Sequence, residues 1–358
     1  MPELLLELGC EELPATFVEK ANHDLRDKLV ELLEAANVLQ PGFKSTIYGT
    51  PRRLIVSISG LVEKQPNEQK EMRGPALQAA FDKDGNPTKA LEGFCRSNGV
   101  EVSSVRRDEK YVWIDKSVLG LPTGEVLQGA IPQAIRALTF EKTMRWGSAR
   151  MRFARPIRWV LAAFNGRLVP FVIESVQSTL TSQGHRFYSP DLFEAKNLDE
   201  LMLGLRARLV EPDPEIRRHR IREGAKKVAT GDPLLTESLV DENVYLTEWP
   251  TPIEGEFKSE FLDLPRPVLI TAMAKHEKMF PVQDASGNLT NRFVFVRNSG
   301  EDETVRIGNQ WVLNARFNDA RFFYAEDNKR SMDQFLEKTS TIVFQEKLGN
   351  VRQRADRL

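Results

Sequence analysis

The sequence has few of the residues that support disulfide-linked, zinc-bound or membrane-spanning folds. Only two cysteines occur among 358 residues, Cys10 and Cys95, and they form no CxxC pair. This excludes a disulfide framework and a cysteine-based zinc knuckle, and it is typical of a reducing cytoplasm. No apolar run is long enough to cross a bilayer, and the first residues lack the pattern of a signal peptide. We therefore expect a cytoplasmic protein that does not bind membranes.

Patterns for catalysis and metal binding are also scarce. No Gly-rich loop precedes Lys-Ser or Lys-Thr, so no P-loop for nucleotide phosphates is predicted. His23-Asp24 has no second His-Asp cluster to complete a metal phosphohydrolase site. A zincin helix beginning at His276 would need a second histidine where the sequence has Phe280. We therefore predict no catalytic residue, no metal site and no cofactor on this chain.

Charge of either sign is not in excess over the chain as a whole. Lys and Arg number 50 against 51 Asp and Glu, so the net charge is -1 and a general attraction to nucleic acid is not expected. The distribution is nevertheless uneven, because residues 142–173 contain no Asp or Glu. The basic residues of this window are Lys142, Arg145, Arg150, Arg152, Arg155, Arg158 and Arg167, with Trp146, Phe153 and Trp159 between them.

Two interpretations of this basic window are open. Arginine pairs with phosphate through a planar fork and aromatic faces stack on exposed bases, so the mixture favours RNA binding. Alternatively, the tryptophans belong to the core and the arginines form internal ion pairs with acids elsewhere in the chain. The lack of acids within the window leaves the two interpretations balanced. Trp159 begins an apolar strand and is expected in the core under both.

Three smaller basic sites lie outside the window. Arg52 and Arg53 stand at the start of a strand, in the run Thr50-Pro51-Arg52-Arg53, and His185-Arg186 lie in a polar loop. Composition does not decide whether either site binds a ligand. A third group, Arg217, Arg218, Arg220, Arg222, Lys226 and Lys227, falls on one predicted helix, which we interpret as a solvated face.

Hydrophobic spacing predicts a mixed α/β protein with several domains. Residues 14–37 have the spacing of a helix, and residues 53–59 form a β-branched strand. Asn165-Gly166, between two apolar runs, predicts a hairpin from 159 to 173 because this pair adopts the positive φ angles of a tight turn. We divide the chain into an N-terminal segment (1–62), a central mixed region (63–310) and a helical segment (311–358).

Several motifs together resemble one known family. In chain order they are Leu5-Leu6-Glu7-Leu8-Gly9-Cys10-Glu11-Glu12-Leu13-Pro14, Thr50-Pro51-Arg52-Arg53-Leu54, Arg73-Gly74-Pro75, Lys142-Thr143-Met144-Arg145-Trp146-Gly147, Phe153-Ala154-Arg155-Pro156-Ile157-Arg158-Trp159, Gly184-His185-Arg186-Phe187, Glu248-Trp249-Pro250 and Phe344-Gln345-Glu346-Lys347-Leu348-Gly349. This ordered set is similar to the β subunit of bacterial heterotetrameric glycyl-tRNA synthetase over essentially the whole chain. The chain departs from the family pattern at Gln310-Trp311 and at His276-Glu277, so no function is carried onto those positions.

The resemblance implies a division of labour between two subunits. It places ATP, magnesium, glycine and the adenylate chemistry on a separate α subunit, within an α2β2 assembly. The β subunit resembles a tRNA-binding arm that includes a region similar to the B3/B4 domain of phenylalanyl-tRNA synthetase. Family members continue beyond the position of Leu358 into an HD-like domain and an anticodon-binding domain. The chain accordingly lacks the nucleotide-binding signatures of both synthetase classes.

The resulting hypothesis is that basic and aromatic side chains of this chain contact glycine-specific tRNA. The candidate contacts are Arg52, Arg53, Lys142, Arg145, Trp146, Arg155, Arg158, His185 and Arg186. A rival hypothesis is a scaffold that assembles the α subunits without touching tRNA in this part of the chain. An editing hydrolase is a weaker third hypothesis, because glycine leaves a size-based second sieve little to reject.

Overall fold

The computed structural model describes residues 2–358. The strands are β1 (Glu3–Cys10), β2 (Leu39–Thr50), β3 (Arg53–Leu61), β4 (Glu68–Ala76), β5 (Arg106–Arg107), β6 (Tyr111–Val118), β7 (Met144–Arg145), β8 (Arg152–Phe153), β9 (Ile157–Phe164), β10 (Arg167–Leu168), β11 (Val172–Ile173), β12 (Val176–Thr179), β13 (Thr181–Gln183), β14 (Leu192–Glu194), β15 (Asp232–Pro233), β16 (Thr251–Glu256), β17 (Phe280–Gln283), β18 (Leu289–Arg297), β19 (Val343–Gln345) and β20 (Gly349–Asn350). The α-helices are α1 (Ala15–Ala35), α2 (Leu77–Ala80), α3 (Lys89–Asn98), α4 (Thr123–Ala137), α5 (Leu198–Ala207), α6 (Pro214–Val228), α7 (Glu237–Val244), α8 (Arg266–Ile270), α9 (Asp302–Asp327), α10 (Met332–Lys338) and α11 (Val351–Asp356).

A seven-stranded sheet forms the centre of the protein. Its order is β11-β12-β9-β1-β3-β2, with β10 paired to β9, and the only parallel pair among these strands is β12 with β9. Successive residues of a strand point to opposite faces, so β1 contributes to two cores. Leu4 and Leu6 belong to the core that α1 and α4 cover, whereas Leu5 packs with residues of α5. Burial on both faces explains why β1 is almost entirely apolar.

Two smaller sheets flank the centre. The order β15-β17-β18-β16 forms a four-stranded sheet against which α6 packs, and α9 closes a separate core over one of its faces around Phe293 and Phe317. The order β4-β6-β5 forms a three-stranded sheet that packs on α2 and α3 through Leu91 and Val112. The predicted mixed α/β class is confirmed. A likeness to a B3/B4 domain stays a prediction.

The structure contains most of the predicted local elements, with one shortened strand. Helix α1 and strand β3 cover the segments predicted from hydrophobic spacing. Asn165 and Gly166 have φ angles of 48° and 75°, so the tight turn predicted after β9 is present. Its return strand β10 ends at Leu168 rather than near residue 173. Val169 still donates to the Ala162 carbonyl at 3.0 Å, but the Phe171 N–H donates to the Ser178 hydroxyl at 2.9 Å instead of to β9, so the ladder ends before residue 173.

The predicted domain limits do not coincide with breaks in the fold. Strand β1, from the segment 1–62, pairs with β9 from the central region along almost its whole length. Helix α9 runs continuously across the limit between residues 310 and 311. The division into three segments therefore stays a prediction. Strand pairing joins the segments on either side of residue 62, and a continuous helix joins those on either side of residue 310. Within residues 2–358, no helix is both long and apolar enough to span a membrane.

Candidate nucleic-acid interface

Arg53 begins β3 and is fully buried, although it is a candidate RNA contact by sequence. Its Nη1 lies 3.1 Å from a Glu7 carboxylate oxygen and its Nε lies 2.9 Å from one of Glu248. Its Nη2 donates to the Gly184 carbonyl at 3.0 Å. Burial by itself would lower the pKa of Arg53, but the two carboxylates raise it above its ordinary value. Each nitrogen of Arg53 is already bonded and the side chain has no exposed surface, so this structure offers no face of Arg53 to a phosphate, and its assignment as a contact stays a prediction that burial does not favour.

His185 is buried in the same network. Its Nδ1 accepts hydrogen bonds from the backbone N–H groups of Phe187 and Tyr188, both at 3.3 Å. Its Nε2 lies 3.5 Å from the side-chain oxygen of Asn298, and its ring stacks on that of Tyr188. Burial lowers the pKa of His185, so the neutral imidazole is favoured. His185 therefore stabilises the loop that contains Arg186, and its assignment as a direct contact stays a prediction that its burial does not favour.

Helix α6 is not the uniformly solvated basic face that the sequence predicts. Arg217 is fully buried, and its three nitrogens donate to the carbonyls of Val244, Glu211 and Gly49 at 2.9, 2.5 and 2.6 Å. Burial lowers the pKa of Arg217 to about 10. The other basic residues of this helix are at least partly exposed, as expected. One arginine thus ties α6 to β2 and to the end of α7.

Two acidic residues that follow β1 attract several of the candidate arginines. Arg186 Nη1 lies 3.0 Å from Glu11 and 2.8 Å from Glu12, and Arg158 Nε lies 3.3 Å from Glu11. A hydrogen bond to Glu12 is the main reason why the pKa of Arg186 is raised. Arg158 and Arg186 remain exposed beside these carboxylates. We call Glu11, Glu12 and the surrounding arginines the Glu11–Glu12 cluster.

Arg52 and Arg155 complete the Glu11–Glu12 cluster. Arg52 is 93% buried (7% exposed), lies 3.6 Å from the Glu12 carboxylate, and its Nε has no hydrogen-bond partner among the described residues. Arg155 donates from Nε to the Glu12 backbone carbonyl at 3.0 Å and from Nη1 to that of Ala154 at the same distance. Both side chains therefore support the ends of β1, β3 and β9 at the rim of the sheet. Burial removes Arg52 from the candidate contacts, whereas Arg155 keeps a partly exposed surface.

The short hairpin β7–β8 carries the most accessible cations. Lys142, Arg145, Arg150 and Arg152 are all exposed, and within residues 2–358 no carboxylate oxygen lies within 4.0 Å of their charged side-chain nitrogens. Arg152 is held by Thr143, to whose hydroxyl and carbonyl it donates at 3.0 and 2.9 Å. We call residues 142–153 the basic hairpin. The structure therefore separates these residues from the ion-paired and buried arginines.

The two tryptophans of the window differ in role. Trp146 is half-buried, packs against the main core, and donates from Nε1 to the Phe153 carbonyl at 2.9 Å. Trp159 is buried, as predicted, and its Nε1 donates to Glu7 at 3.1 Å. The Trp159 ring covers Gly9, where an added Cβ would lie 2.0 Å from ring atoms, so only glycine fits there. Trp146 alone keeps an accessible edge beside the exposed cations.

Residues that the candidate set omits organise the interface. Glu7, Glu11, Glu12 and Glu248 hold the buried and clustered arginines. A sequence signal existed for Glu7, because a single charged residue within the apolar run Leu4–Leu8 needs a buried partner. No comparable signal marks Glu248, which is 195 residues away from Arg53.

The accessible side chains of this surface are cations beside one half-buried indole. Within residues 2–358, no group of three or more His, Cys, Asp or Glu side chains is placed to hold a metal ion. Cys10 is fully buried, and burial raises the pKa of its thiol, which disfavours a nucleophilic thiolate. Exposed guanidinium groups beside a half-buried indole provide a surface suited to phosphates and unstacked bases.

Comparison with known proteins agrees with this chemistry. Residues 4–358 match the family model described as "Glycyl-tRNA synthetase beta subunit". The "Glycine--tRNA ligase beta subunit" of Syntrophus aciditrophicus is 40% identical over 99% of this chain, and that of Syntrophotalea carbinolica is 40% identical over 97%. Each alignment covers 52% of the relative, so the chain spans about half the length of these curated proteins. The ordered motifs and the family match along almost the full length of the chain agree: the chain belongs to the glycyl-tRNA synthetase β-subunit family.

Proposed function

We propose that this chain is the tRNA-binding part of the β subunit of a glycine–tRNA ligase, which joins glycine to its tRNA with ATP. The family membership supports the reaction, and the basic hairpin supports the role of this chain within it. The adenylate chemistry, with its ATP and magnesium, would belong to a separate α subunit in an α2β2 assembly. The residues of this chain would bind the tRNA and position its acceptor end for the α subunit.

The observation that carries this proposal is the exposure of Lys142, Arg145, Arg150 and Arg152, whose charged side-chain nitrogens have no carboxylate oxygen within 4.0 Å among residues 2–358. A phosphate that meets such a side chain displaces only water and counterions, whereas one that meets Arg186 must compete with Glu11 and Glu12. The proposed primary contacts are therefore these four cations. Arg158, Arg186 and the exposed part of Arg155 form a secondary group, and Trp146 borders the primary one.

The test is binding of this chain to glycine-specific tRNA over a range of salt concentrations. The logarithm of the affinity should fall with the logarithm of the salt concentration, with a slope of roughly 0.7–0.9 per phosphate contact. The double variant Arg145→Ala/Arg150→Ala should bind more weakly and reduce that slope by about 1.4–1.8, if each side chain meets one phosphate.

A matched control is Lys226→Ala/Lys227→Ala, which removes two exposed cations from α6 and changes the net charge by the same amount. It should leave the slope nearly unchanged. Equal losses in both double variants would mean that the protein's overall charge, rather than the basic hairpin, attracts tRNA. An unchanged slope in the hairpin variant would place the contact elsewhere.

A second candidate function, a scaffold for the α subunits, is favoured by a different observation. Helix α9 exposes 72% of Trp311 and 63% of Phe323, and exposed apolar surface of this kind is typical of protein–protein contacts. If the chain ignores tRNA at all salt concentrations and still binds the α subunit, the scaffold is the better account. Loss of that complex in Trp311→Ser/Phe323→Ser would then identify α9 as the contact.

A further inference from the structure

A cavity of about 350 Å³ lies between the basic hairpin and the edge of the central sheet. Its apolar walls are formed by Trp146, Met151, Phe153, Ile157, Ile173 and Val176. Known ligand pockets start at about 300 Å³, so the cavity is large enough for a small flat ring. We call it the hairpin pocket.

The indole of Trp146 can offer this pocket only an apolar surface. Its single N–H is already bonded to the Phe153 carbonyl at 2.9 Å, which also fixes the orientation of the ring. The turn that follows is closed by the Ala149 N–H, which donates to the Trp146 carbonyl at 3.0 Å, with Gly147 at a φ of 59°. These hydrogen bonds hold the Trp146 ring in place without a ligand. The ring favours an aromatic ligand that stacks on it or packs edge-on.

Glu174 supplies the acceptor at the mouth of the pocket. It lies in the two-residue turn between β11 and β12, where its φ of 53° is a conformation that favours glycine. One carboxylate oxygen accepts the Arg150 backbone N–H at 2.8 Å, and no donor among the described residues reaches the other. A strained glutamate with one free oxygen beside an apolar pocket indicates recognition of an N–H group.

Cations lie in and next to the pocket lining. Arg158 lines the pocket, and Arg145, Arg150 and Arg152 are neighbours in sequence of the hairpin residues that form its wall. An apolar interior beside exposed cations fits a ligand that combines a flat ring with phosphate groups on either side of it. An acidic peptide would pair with these arginines but would leave the apolar pocket unfilled.

We propose that the hairpin pocket binds one unpaired RNA base that carries an exocyclic amino group. This inference rests on the proposed role in tRNA binding and adds the site and the class of base. Adenine, cytosine and guanine each present an exocyclic amino donor to the free oxygen of Glu174. Uracil presents only its N3–H, which lies between two carbonyl oxygens that the carboxylate repels. The flanking phosphates lie against Arg145, Arg150 and Arg152.

The test compares short single-stranded RNA oligomers of adenosine, cytidine, uridine and abasic ribose at one salt concentration. The adenosine and cytidine oligomers should bind about five-fold or more tightly than the abasic one, which is the lower end of the effect of one stacked base. The uridine oligomer should bind less tightly than the adenosine and cytidine oligomers but more tightly than the abasic one, because it stacks but has no exocyclic amino group. Equal binding of all four overturns the pocket but leaves salt-dependent tRNA binding standing, whereas no binding of any oligomer or of tRNA overturns both.

Two substitutions at Glu174 make the test specific. In Glu174→Gln, the amide oxygen accepts the Arg150 N–H, and the amide NH₂ group is left free. Because this group donates a hydrogen bond, the preference among bases should shift from adenosine and cytidine towards uridine, which presents carbonyl oxygens. Glu174→Gly relieves the strained φ and removes the acceptor, so this variant should stay folded and lose the preference among bases. Retention of the adenosine preference in both variants would overturn the assignment of Glu174.

Pocket volume is tested by a substitution that avoids the core. Ala149→Leu adds a side chain at the pocket wall and should reduce adenosine binding to the level of the abasic oligomer. Val172→Leu adds an apolar group on β11 outside the pocket, at a residue that is 55% exposed, and should have no effect. If the two variants bind adenosine alike, the base does not enter the hairpin pocket.

Discussion

Some arginines of this protein are buried in its interior and others are exposed on the basic hairpin, and the two groups have opposite surroundings. Arg53 and Arg217 are fully buried; Arg53 donates to four groups and Arg217 to three. Arg145 and Arg150 are exposed, and within residues 2–358 their guanidinium groups have no carboxylate within 4.0 Å. The first pair joins distant segments of the chain, and the second pair is available to a ligand. Basic residues near a strand or loop therefore do not by themselves indicate nucleic-acid binding.

The Glu11–Glu12 cluster lies between these extremes. Arg158 and Arg186 are exposed, yet carboxylates neutralise them. Burial would raise the pKa of Glu12, but hydrogen bonds and the charges of Arg186 and Arg52 keep it below its ordinary value. The Glu12 carboxylate thus remains charged at neutral pH and occupies a position that a phosphate oxygen would otherwise take.

The largest expected effect comes from removing a buried arginine. Arg53→Met leaves Glu7 and Glu248 buried without their cation, which should lower the free energy of unfolding by about 3–5 kcal/mol. Urea denaturation followed by circular dichroism measures the change. The same substitution at an exposed site, Arg145→Met, should stay within about 0.5 kcal/mol of the parent. Similar stability of the two variants would remove the distinction between the two sets of arginines.

A smaller loss of stability is expected at Arg217. Arg217→Lys keeps the charge. A single lysine amine cannot donate to all three carbonyls, because each of them accepts from a different nitrogen of the planar guanidinium group. At least one buried carbonyl loses its donor, so we expect a loss of about 1–3 kcal/mol. Arg218→Lys on the same helix, at a partly exposed position, is the control and should change little in the same urea titration. Equal losses would show that α6 is sensitive to any arginine substitution.

A moderate effect on RNA affinity is expected when the Glu11–Glu12 cluster is weakened. Glu12→Gln removes a charge that competes with phosphate for Arg186, so tRNA should bind up to about five-fold more tightly, the upper limit for an exposed ion pair. Glu109→Gln makes the same change of net charge at an exposed residue outside this cluster and serves as the control. Weaker binding in Glu12→Gln would indicate that Glu12 supports the contact instead of competing with it.

The smallest expected effect is the pH dependence contributed by His185. Burial lowers the pKa of His185 from its ordinary value of 6.5, despite the opposing charge of Glu248 and the hydrogen bond with Asn298, while Arg53 lowers it further. The unfolded chain therefore takes up the proton first, so this contribution to stability is complete above pH 6.5 and is lost as the pH falls below it.

Urea denaturation between about pH 7.5 and 5.5, above the range in which carboxylates titrate, measures the effect. His185→Asn keeps an acceptor near the position of Nδ1 but cannot titrate. Its free energy of unfolding should change less over this range than that of the parent. A parallel decrease in both proteins would assign the pH dependence to other groups.

Local elements were predictable because they depend on residues close together in the chain. The spacing of Phe17, Leu25 and Leu29 identified α1, and the Asn165-Gly166 pair identified the turn after β9. The burial of Trp159 followed from its place at the start of an apolar strand. The return strand after this turn showed where such a prediction fails, since the Phe171 N–H donates to the Ser178 hydroxyl and β10 ends earlier than the apolar run suggested.

The sequence by itself determined the family, the mixed α/β class and the concentration of cations in residues 142–173. Only the tertiary structure decided which of the predicted contacts face solvent, because the partners of Arg53 and Arg217 come from segments far away in the chain. Folding brings Glu7 and Glu248 to one side of β3 and leaves the basic hairpin outside the sheet. The same guanidinium group is thus an internal crosslink where carboxylates and carbonyls surround it, and a binding group where water does.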